Sequence, residues 1–279
     1  MNPIIVCLWI LLGLCALTWV LSLITREYSW VDRIWSVIPV VYVWVFASAA
    51  GLRDPRLDII AALVTLWGIR LTFNFARKGG YAPGGEDYRW VKLRSGMSKR
   101  GFAIFNLFFI VIYQNILLLA ITLPAWTAFQ HRSPLTTLDI VALVVFLLCL
   151  AGETVADQQQ WNFHRWKNSE TAAGRGPRPR FLQTGLFRTS RHPNFFFEQA
   201  QWWVVFFFGA IAAGSIFQWT VAGAVLLLFV FIGSTRFTES ISLSKYPEYA
   251  DYQKRTSAVV PWLPGKGGPA MPADAEQVS

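Results

Sequence analysis

Charged residues are scarce in this sequence. Asp, Glu, Lys and Arg make up only 15% of its 279 residues, whereas hydrophobic residues make up 54%. Soluble globular domains carry about 25% charged residues, and the mean hydropathy here is +0.40. This composition excludes an ordinary water-soluble domain and indicates a chain that is mostly built for a bilayer.

Cysteine is also rare, with three residues in the whole chain. Cys7, Cys15 and Cys149 all lie in apolar stretches and show no paired or CxxC spacing. Disulfide frameworks and zinc sites both depend on such spacings. The sequence therefore argues against both, and no metal site is predicted.

Long apolar stretches account for most of what is present. A helix needs about 20 apolar residues to cross the hydrocarbon core, and seven stretches approach that length. They are residues 3–25, 34–51, 58–76, 101–124, 138–158, 194–213 and 216–236. We predict an all-α polytopic membrane bundle of about seven transmembrane helices. The first stretch has no basic segment before it and exceeds the roughly 7–15 residues of a signal-peptide core, so we predict that it is retained.

The basic residues are distributed unevenly between the two sides of such a bundle. With seven spans, 21 of the 25 Lys and Arg residues lie in the loops 26–33, 77–100 and 161–193 and in the tail from Arg236. The opposite side holds Arg53, Arg56 and Arg132. This positive-inside pattern predicts an outside N-terminus and a cytoplasmic C-terminus. The pattern and the attraction of anionic lipids explain the net charge of +9. We therefore predict membrane lipids, not nucleic acid, as partners.

The chain contains no internal repeat and no soluble segment of useful size. We predict one membrane domain over 1–264, followed by a polar, Gly/Pro-rich and disordered tail over 265–279. The loops 77–100 and 161–193 are long, charged and rich in Gly and Pro. Such loops are more often functional than merely connective.

Several polar residues lie inside or at the ends of the predicted spans. An ionisable residue in a bilayer is costly and by default suggests a functional site. Glu153 and Asp157 are four residues apart and share one helix face, and Asn194 and Glu198 repeat that spacing. Arg70, Arg236 and Glu239 lie near the same membrane face. These residues could line one polar cavity, or they could pair with one another and hold the bundle together.

The segment 174–194 is the most informative part of the chain. It contains five arginines among glycines and prolines, and it then enters a helix at Pro193 and Asn194. Guanidinium groups bind phosphate in a bidentate manner, and a helix N-terminus favours anions. This combination predicts a site for a polyphosphate cofactor, in which Arg188 and Arg191 would take part. There is no GxGxxG or Rossmann pattern, and a lone His192 before proline is more often structural.

These residues also carry a resemblance to a known family. The stretch from Gly185 to Glu198, which includes Ser-Arg-His-Pro-Asn at 190–194, resembles the C-terminal domain of membrane steroid 5-alpha-reductases. A poorly characterised bacterial branch grouped with them is more similar still. Further matches, in the same order along the chain, are Val31-Asp32, Trp67 to Leu71, Glu86 to Arg89, Asp157, and Tyr249 to Pro261.

The resemblance implies a seven-helix bundle that encloses NADPH and delivers hydride to a conjugated enone. By the same match, Asp157 and Arg180 contact the dinucleotide, while Asn194 and Glu198 hold the nicotinamide and ribose region. His192 lies in the same motif. The resemblance also implies that Arg236, Tyr249 and Tyr252 close over the cofactor. It places the protein in a bacterial inner membrane, with its active site on the cytoplasmic side and a steroid, isoprenoid or fatty enone as substrate.

The sequence departs from the family at the group that activates the enone. Steroid reductases carry a His-Tyr pair that is followed two residues later by an arginine. Here Arg70 matches the arginine, while Trp67 takes the tyrosine position. Asp32 lies where a glutamate is expected. An indole N–H can donate a hydrogen bond but cannot release a proton as a phenol can. Tyr88 and Tyr113 are both candidates for the missing phenol.

Two other functions remain open from the sequence. Arg191-His192-Pro193 with Glu198 also resembles isoprenylcysteine methyltransferases, which bind S-adenosylmethionine. The protein could also be a membrane protein without catalytic activity, such as a transporter, although no pair of broken helices in related halves is present. The sequence names neither the lipid nor the oligomeric state.

Overall fold

A computed structural model describes residues 1–263 of the chain. These residues form two compact units. Unit 1 comprises Met1–Phe146 and Trp202–Leu227, and unit 2 comprises Leu147–Gln201 and the chain from Leu228 onward. The predicted single domain over 1–264 stays a prediction, and the predicted disordered tail over 265–279 lies outside the described residues.

The described part of the chain is helical, as predicted, and contains no β-strand beyond an isolated bridge between Ser190 and Ser257. The α-helices are α1 Pro3–Thr25, α2 Trp30–Ile34, α3 Ile38–Ala49, α4 Pro55–Arg77, α5 Tyr88–Gly96, α6 Lys99–Phe105, α7 Gln114–Ala120, α8 Leu123–Gln130, α9 Thr137–Ala172, α10 Pro193–Ala213, α11 Val221–Lys245 and α12 Tyr249–Arg255. A π-helix over Asn106–Tyr113 joins α6 to α7, and a short 3₁₀-helix covers Gly185–Arg188.

Six stretches of helix within residues 1–263 are long and apolar enough to cross a membrane. They are Pro3–Thr25, Pro55–Arg77, Lys99–Gln130, Thr137–Ala172, Pro193–Ala213 and Val221–Lys245. Each overlaps one of the predicted spans, so the prediction of a polytopic helical membrane protein is confirmed. The remaining predicted span, 34–51, corresponds to α3, which has only 12 residues. At 1.5 Å per residue, a helix of that length is shorter than the roughly 30 Å hydrocarbon core.

Two predicted boundaries were wrong because helices continue beyond the apolar stretch. The loop expected over 161–193 begins only after Ala172, since α9 is 36 residues long. No glycine or proline interrupts residues 153–173, so the polar sequence there stays helical. Similarly, α11 ends at Lys245 and not near 236. Arg236 and Glu239 therefore lie within a helix and not at its end.

Helices α3 and α4 form a tightly packed antiparallel pair in unit 1. Ser36 Oγ and Thr72 Oγ1 are 2.6 Å apart, and the Trp44 indole donates to Thr65 Oγ1 at 3.0 Å. Between these contacts, a Cβ added to Gly68 would lie 2.6 Å from the Ser36 carbonyl oxygen. The absence of a side chain at Gly68 therefore allows the two backbones to approach.

The π-helix brings buried amides towards α1 within unit 1. Asn106 Nδ2 donates to Ser22 Oγ at 2.9 Å, and Asn115 Nδ2 donates to Thr18 Oγ1 at 3.3 Å. Both asparagines are fully buried. π-Helical turns are uncommon and often occur at functional sites, and here the turn sets the direction of polar side chains inside a membrane helix.

A buried ion pair joins the starts of α4 and α9 in unit 1. Arg56 Nε and Nη2 donate to the two carboxylate oxygens of Asp139 at 2.6 and 2.8 Å. Nη1 donates to Ser133 Oγ at 2.8 Å and Nη2 to the Pro134 carbonyl at 3.0 Å. Asp54 caps α4 by accepting from the Arg56 backbone N–H at 3.1 Å. Arg56 is thus neutralised inside the protein and is not the loop cation that the sequence suggested.

Candidate functional site

The predicted site residues divide cleanly between the two units. Every predicted catalytic residue lies in unit 1: Asp32, Trp67, Arg70 and Tyr88. Every predicted cofactor-binding residue lies in unit 2: Asp157, Arg180, Arg188, Arg191, His192, Asn194, Glu198, Arg236, Tyr249 and Tyr252. The two groups are therefore described in turn.

Asp32 lies in the short helix α2 and is half-buried. Its Oδ2 atom accepts the indole N–H of Trp90 at 2.6 Å. Burial raises the pKa of the Asp32 carboxyl, and the positive charge of Arg89 opposes that shift. The neighbouring Arg33 pairs with Glu27, with 2.7 Å between Arg33 Nη2 and Glu27 Oε2.

Trp67 and Arg70 occupy successive turns of α4. Trp67 is 1% exposed, and its ring lies edge-on to that of Trp202, with 4.9 Å between the ring centroids. Arg70 is half-buried one turn further along. The tryptophan at the position of the family's tyrosine is therefore an interior residue of unit 1 and is not exposed to lipid.

Neither tyrosine candidate for the missing phenol is favoured by its surroundings. Tyr88 is 52% exposed at the start of α5. The Tyr113 hydroxyl donates to the Leu226 carbonyl at 3.2 Å. An exposed phenol and a phenol already bonded to the backbone are both poorly placed to polarise a buried acceptor, so the role of Tyr88 stays a prediction that burial does not support.

Glu239 in α11 is the centre of a polar network in unit 2. Its carboxylate accepts from Arg191 Nε at 2.6 Å and Nη2 at 3.0 Å. His192 Nε2 lies 3.0 Å from Oε1, and Gln253 Nε2 donates to Oε2 at 2.6 Å. Glu239 is buried. One carboxylate thus joins α11 to the loop before α10 and to α12.

The same loop is tied to the chain that follows α12. Arg191 Nη1 donates to the carbonyls of Gln253 and Thr256, and the Tyr252 hydroxyl donates to the Phe187 carbonyl. Backbone N–H groups of Arg191 and His192 donate to residues 257 and 258 at 2.8 and 3.1 Å. Arg191, His192 and Tyr252 therefore use much of their hydrogen-bonding capacity to hold this segment in place.

Tyr249 packs beside this network and is also buried. Its ring lies 5.0 Å from that of Phe181 and 5.5 Å from that of Tyr252. Burial, reinforced by the nearby negative charge of Glu239, raises the pKa of the Tyr249 hydroxyl. The hydroxyl therefore stays protonated over the physiological range.

Buried carboxylates occupy the facing surfaces of α9 and α10 in unit 2. Glu153 and Asp157 in α9 and Glu198 in α10 are 2, 4 and 8% exposed. Glu153 Oε2 accepts from Gln201 Nε2 at 2.6 Å. The helices approach closely here, because a Cβ on Gly152 would lie 2.5 Å from the Phe197 ring. Both predicted spacings therefore place carboxyl groups inside the protein, and Asn194 lies half-buried one turn before Glu198.

Three of the predicted cofactor-binding arginines of unit 2 are exposed: Arg180, Arg188 and Arg236. Arg180 makes only a long contact with Glu248, at 3.6 Å, and both side chains remain about half exposed. Exposed guanidinium groups can bind phosphate without giving up a buried protein partner. The arginines therefore fall into two classes, with Arg191 committed internally and the other three accessible.

The residues of unit 2 fit a dinucleotide in their chemistry. Accessible arginines match phosphates, and buried carboxylates can accept hydrogen bonds from ribose hydroxyls and a carboxamide. Thr235 Oγ1 and Gln201 Oε1 are buried without a hydrogen-bond partner among residues 1–263. Such atoms are suited to an additional polar ligand. No group of three or more His, Cys, Asp or Glu side chains suited to a metal ion occurs in the described part of the chain.

Sequence reasoning missed the partners of the predicted residues. Trp90, Trp202 and Gln253 each contact a predicted residue or its network, yet none was singled out. Trp90 and Asp32 are 58 positions apart, and Arg191 and Glu239 are 48 apart. A short spacing in the sequence, such as i to i+4, cannot indicate pairs that are so far apart along the chain. The one available signal was Glu239 itself, which is a carboxylate just beyond the end of the predicted span 216–236.

The chain matches the sequence model of a family described as "Protein of unknown function (DUF1295)" over residues 18–256. It is also 38% identical, over 293 aligned positions, to a Schizosaccharomyces pombe protein named "Uncharacterized protein C594.04c". That alignment covers 98% of this chain and 84% of the yeast protein. No solved structure matches the chain. Because this relative is fungal, similar sequences are not confined to bacteria, and the bacterial branch stays a prediction.

Proposed function

The chain belongs to the DUF1295 family, and from its own residues we propose that it is an NADPH-dependent membrane reductase of a conjugated enone lipid, such as a steroid or an isoprenoid. The observation that carries the proposal lies in unit 2. There, buried carboxylates in the membrane helices α9 and α10 occur together with accessible arginines. A cofactor with both phosphates and hydroxyl groups requires both kinds of residue.

In unit 2, each class of residue has a separate task. Arg180, Arg188 and Arg236 bind the phosphates, and Asp157, Asn194 and Glu198 orient the ribose and nicotinamide. The network around Glu239 holds the loop that carries Arg188 and keeps Arg191, His192 and Tyr252 in position. Tyr249 packs behind that network and limits the access of water.

In unit 1, the polar groups act on the lipid. NADPH, when bound, supplies hydride to the β-carbon of the enone, and a proton from water completes the reduction at the α-carbon. The protein stabilises the negative charge that develops on the carbonyl oxygen. Arg70 contributes a positive charge, and the Asp32 carboxyl, whose pKa is raised by burial, can stay neutral and donate a hydrogen bond.

The membrane location supports a lipid substrate. Six apolar helices place the protein in a bilayer, from which an apolar molecule can enter laterally. We place the cofactor-binding residues on the cytoplasmic side, because the loops that carry the arginines hold most of the positive charge.

A ligand titration followed by thermal unfolding tests the proposal. Purified protein in detergent should be stabilised by NADPH and not by S-adenosylmethionine, since mass action raises the stability of the liganded state. Stabilisation by S-adenosylmethionine alone would replace the reductase proposal with the methyltransferase alternative. Absence of stabilisation by either compound would favour a protein without catalytic activity.

Two variants separate the cofactor site from general folding. Asn194→Ala and Glu198→Ala should each weaken NADPH binding while the unliganded protein keeps a cooperative unfolding transition. Arg132→Ala is the matched control, because Arg132 is an exposed cation in the loop before α9. If Asn194→Ala and Glu198→Ala bind NADPH as the wild type does, these residues do not form the site.

A further inference from the structure

Two indole N–H groups in unit 1 are buried without an acceptor. Trp67 in α4 is 1% exposed and Trp202 in α10 is 2% exposed. Their ring centroids are 4.9 Å apart and their planes are nearly perpendicular, at 79°. Neither Nε1 atom has a hydrogen-bond partner within the described residues.

Other indoles of the same unit do find acceptors. Trp30 donates to Thr25 Oγ1 at 2.9 Å, Trp44 to Thr65 Oγ1 at 3.0 Å and Trp90 to Asp32 at 2.6 Å. Leaving a buried donor without a partner is unfavourable, because the donor has lost its hydrogen bonds to water. The Trp67 and Trp202 groups cannot satisfy each other, because an indole N–H is a donor only. Two such donors in contact, with no acceptor among residues 1–263, therefore suit a ligand that brings one.

We propose that the N–H groups of Trp67 and Trp202 bind the carbonyl oxygen of a neutral lipid within the membrane. The donors are uncharged. Val64 lies one turn from Trp67 in α4 and Val205 one turn from Trp202 in α10, and both valines are buried. A carboxylate or phosphate would be too costly to desolvate there. A ketone oxygen on an apolar body matches both the donors and their surroundings.

This inference deepens the proposed function, because the bound carbonyl is the oxygen of the conjugated lipid that the reductase would act on. It also gives Trp67 a role that does not need a phenol. The indole pair supplies hydrogen bonds to the oxygen and supplies no proton. Trp202 becomes a specificity residue that the sequence did not indicate.

Infrared difference spectroscopy of a bound ketone tests the assignment. The probe is β-ionone, a conjugated isoprenoid ketone, labelled with carbon-13 at its carbonyl and added to purified protein in detergent. Hydrogen bonding lowers the carbonyl stretching frequency relative to the same ketone in dodecane. The variants are Trp67→Phe and Trp202→Phe, with Trp219→Phe as the control, because Trp219 is 65% exposed in the same unit. Replacement of Trp67 by 2-naphthylalanine keeps the bicyclic ring and removes the N–H, which covers the case in which phenylalanine leaves a cavity.

The wild type and Trp219→Phe should show the lowered frequency. Loss of either N–H should raise the frequency and weaken ketone binding about tenfold. Absence of ketone binding, or a frequency that the Trp67 and Trp202 variants leave unchanged, overturns the inference. An NADPH titration on the same samples separates the two proposals. Ketone binding through the indoles without NADPH binding contradicts the reductase alone, and NADPH binding with an unchanged carbonyl frequency contradicts the indole site alone.

Discussion

Arg188 and Arg191 lie three positions apart and have opposite surroundings. Arg188 is exposed, whereas the side chains of Arg191 and its partner Glu239 are each only 9% exposed. Removing one member of a buried ion pair leaves the other charge uncompensated, whereas an exposed charge can be lost with little effect on folding. Within one loop, Arg191 should therefore affect the stability of the protein, and Arg188 should affect ligand binding.

We expect Arg191→Ala to lower the free energy of unfolding by about 3–5 kcal/mol. Arg188→Ala should change it by less than about 0.5 kcal/mol but should weaken NADPH binding. Thermal unfolding in detergent and a cofactor titration measure the two effects. Arg191→Lys should not restore stability, because an ammonium cannot reproduce the bidentate contact with Glu239. Equal unfolding temperatures for the two alanine variants would contradict this division of roles.

Asp32 makes stability depend on pH in a defined direction. Because burial raises its pKa in the folded protein, with Arg89 opposing the shift, the folded state holds the proton more tightly than the unfolded state. Its contribution to stability is therefore largest in acid and is lost as the pH rises from the ordinary carboxyl value, near 4, through the folded value. The Asp32→Asn side chain stays neutral, so this variant lacks the loss of stability with rising pH. Its unfolding temperature should therefore rise relative to that of the wild type as the pH increases through that window.

Asp251→Asn is the control for that measurement, because the Asp251 side chain is 75% exposed. The same Asp32→Asn variant tests the mechanism, since turnover should fall far more than NADPH affinity does. A wild-type and Asp32→Asn pair with parallel pH profiles would show that the Asp32 carboxyl is not perturbed. Unchanged turnover would remove Asp32 from the reaction.

At this scale the sequence indicated which side chains are polar in an apolar setting but not what they contact. The four-residue spacing of Glu153 and Asp157 predicted a shared face, and both are buried. Arg191 was predicted as a phosphate ligand, yet its partner Glu239 lies 48 positions away and holds it internally. The charge of an arginine in the sequence does not show whether its guanidinium is accessible to a ligand or is already paired within the protein.

Among the helices, α11 contains two glycines with different surroundings. A Cβ on Gly223 would lie 2.2 Å from the Ala120 carbonyl oxygen and 2.4 Å from its carbon. Gly233 has nothing within 4 Å of such a Cβ. Helix α11 can therefore accept a side chain at one glycine and not at the other.

Gly223→Ala should destabilise the protein by about 1–3 kcal/mol, because backbone atoms have to move apart. Gly233→Ala should be neutral or slightly stabilising, since alanine favours the helix over glycine by up to about 1 kcal/mol. Unfolding temperatures of the two variants, measured side by side, give the comparison. A larger loss for Gly233→Ala than for Gly223→Ala would mean that α7 and α11 do not pack as described.

Helix starts were more predictable than helix ends. Pro55 and Pro193 begin α4 and α10, within three residues of the predicted starts, because proline favours the first turn. The end of α9 was misjudged because the prediction followed hydropathy, which falls where a helix leaves the bilayer, although the backbone hydrogen bonds continue. The π-helix at Asn106–Tyr113 has no pattern in the sequence that distinguishes it from an α-helix.

For the whole molecule, the distribution of Lys and Arg predicts the orientation, and the three cations assigned to the outer side differ in their surroundings. Of the three cations assigned to the outer side, Arg56 is neutralised by Asp139 inside unit 1. Arg53 and Arg132 remain as exposed charges. The orientation therefore stays a prediction from the distribution of Lys and Arg along the chain.

Single cysteines test this orientation in a variant that lacks Cys7, Cys15 and Cys149. Ala82→Cys and Ala172→Cys, both at exposed positions, should react with an impermeant thiol reagent only after the cells are opened. Arg132→Cys should react in intact cells and serves as the opposite control. Labelling of positions 82 and 172 from outside intact cells would reverse the proposed orientation.

The Arg56–Asp139 pair also constrains how the protein is made. Its two residues are 83 positions apart, so the ribosome has produced α4 long before the carboxylate that neutralises Arg56 exists. Until then the guanidinium has to remain hydrated, and the start of α4 cannot settle to its final depth. In a pulse-chase experiment, a nascent chain that ends at Gln130 should therefore be degraded faster than one that ends at Phe146. Equal lifetimes would mean that the start of α4 settles without Asp139. The arrival of α9 is thus the step at which the start of α4 reaches its final position.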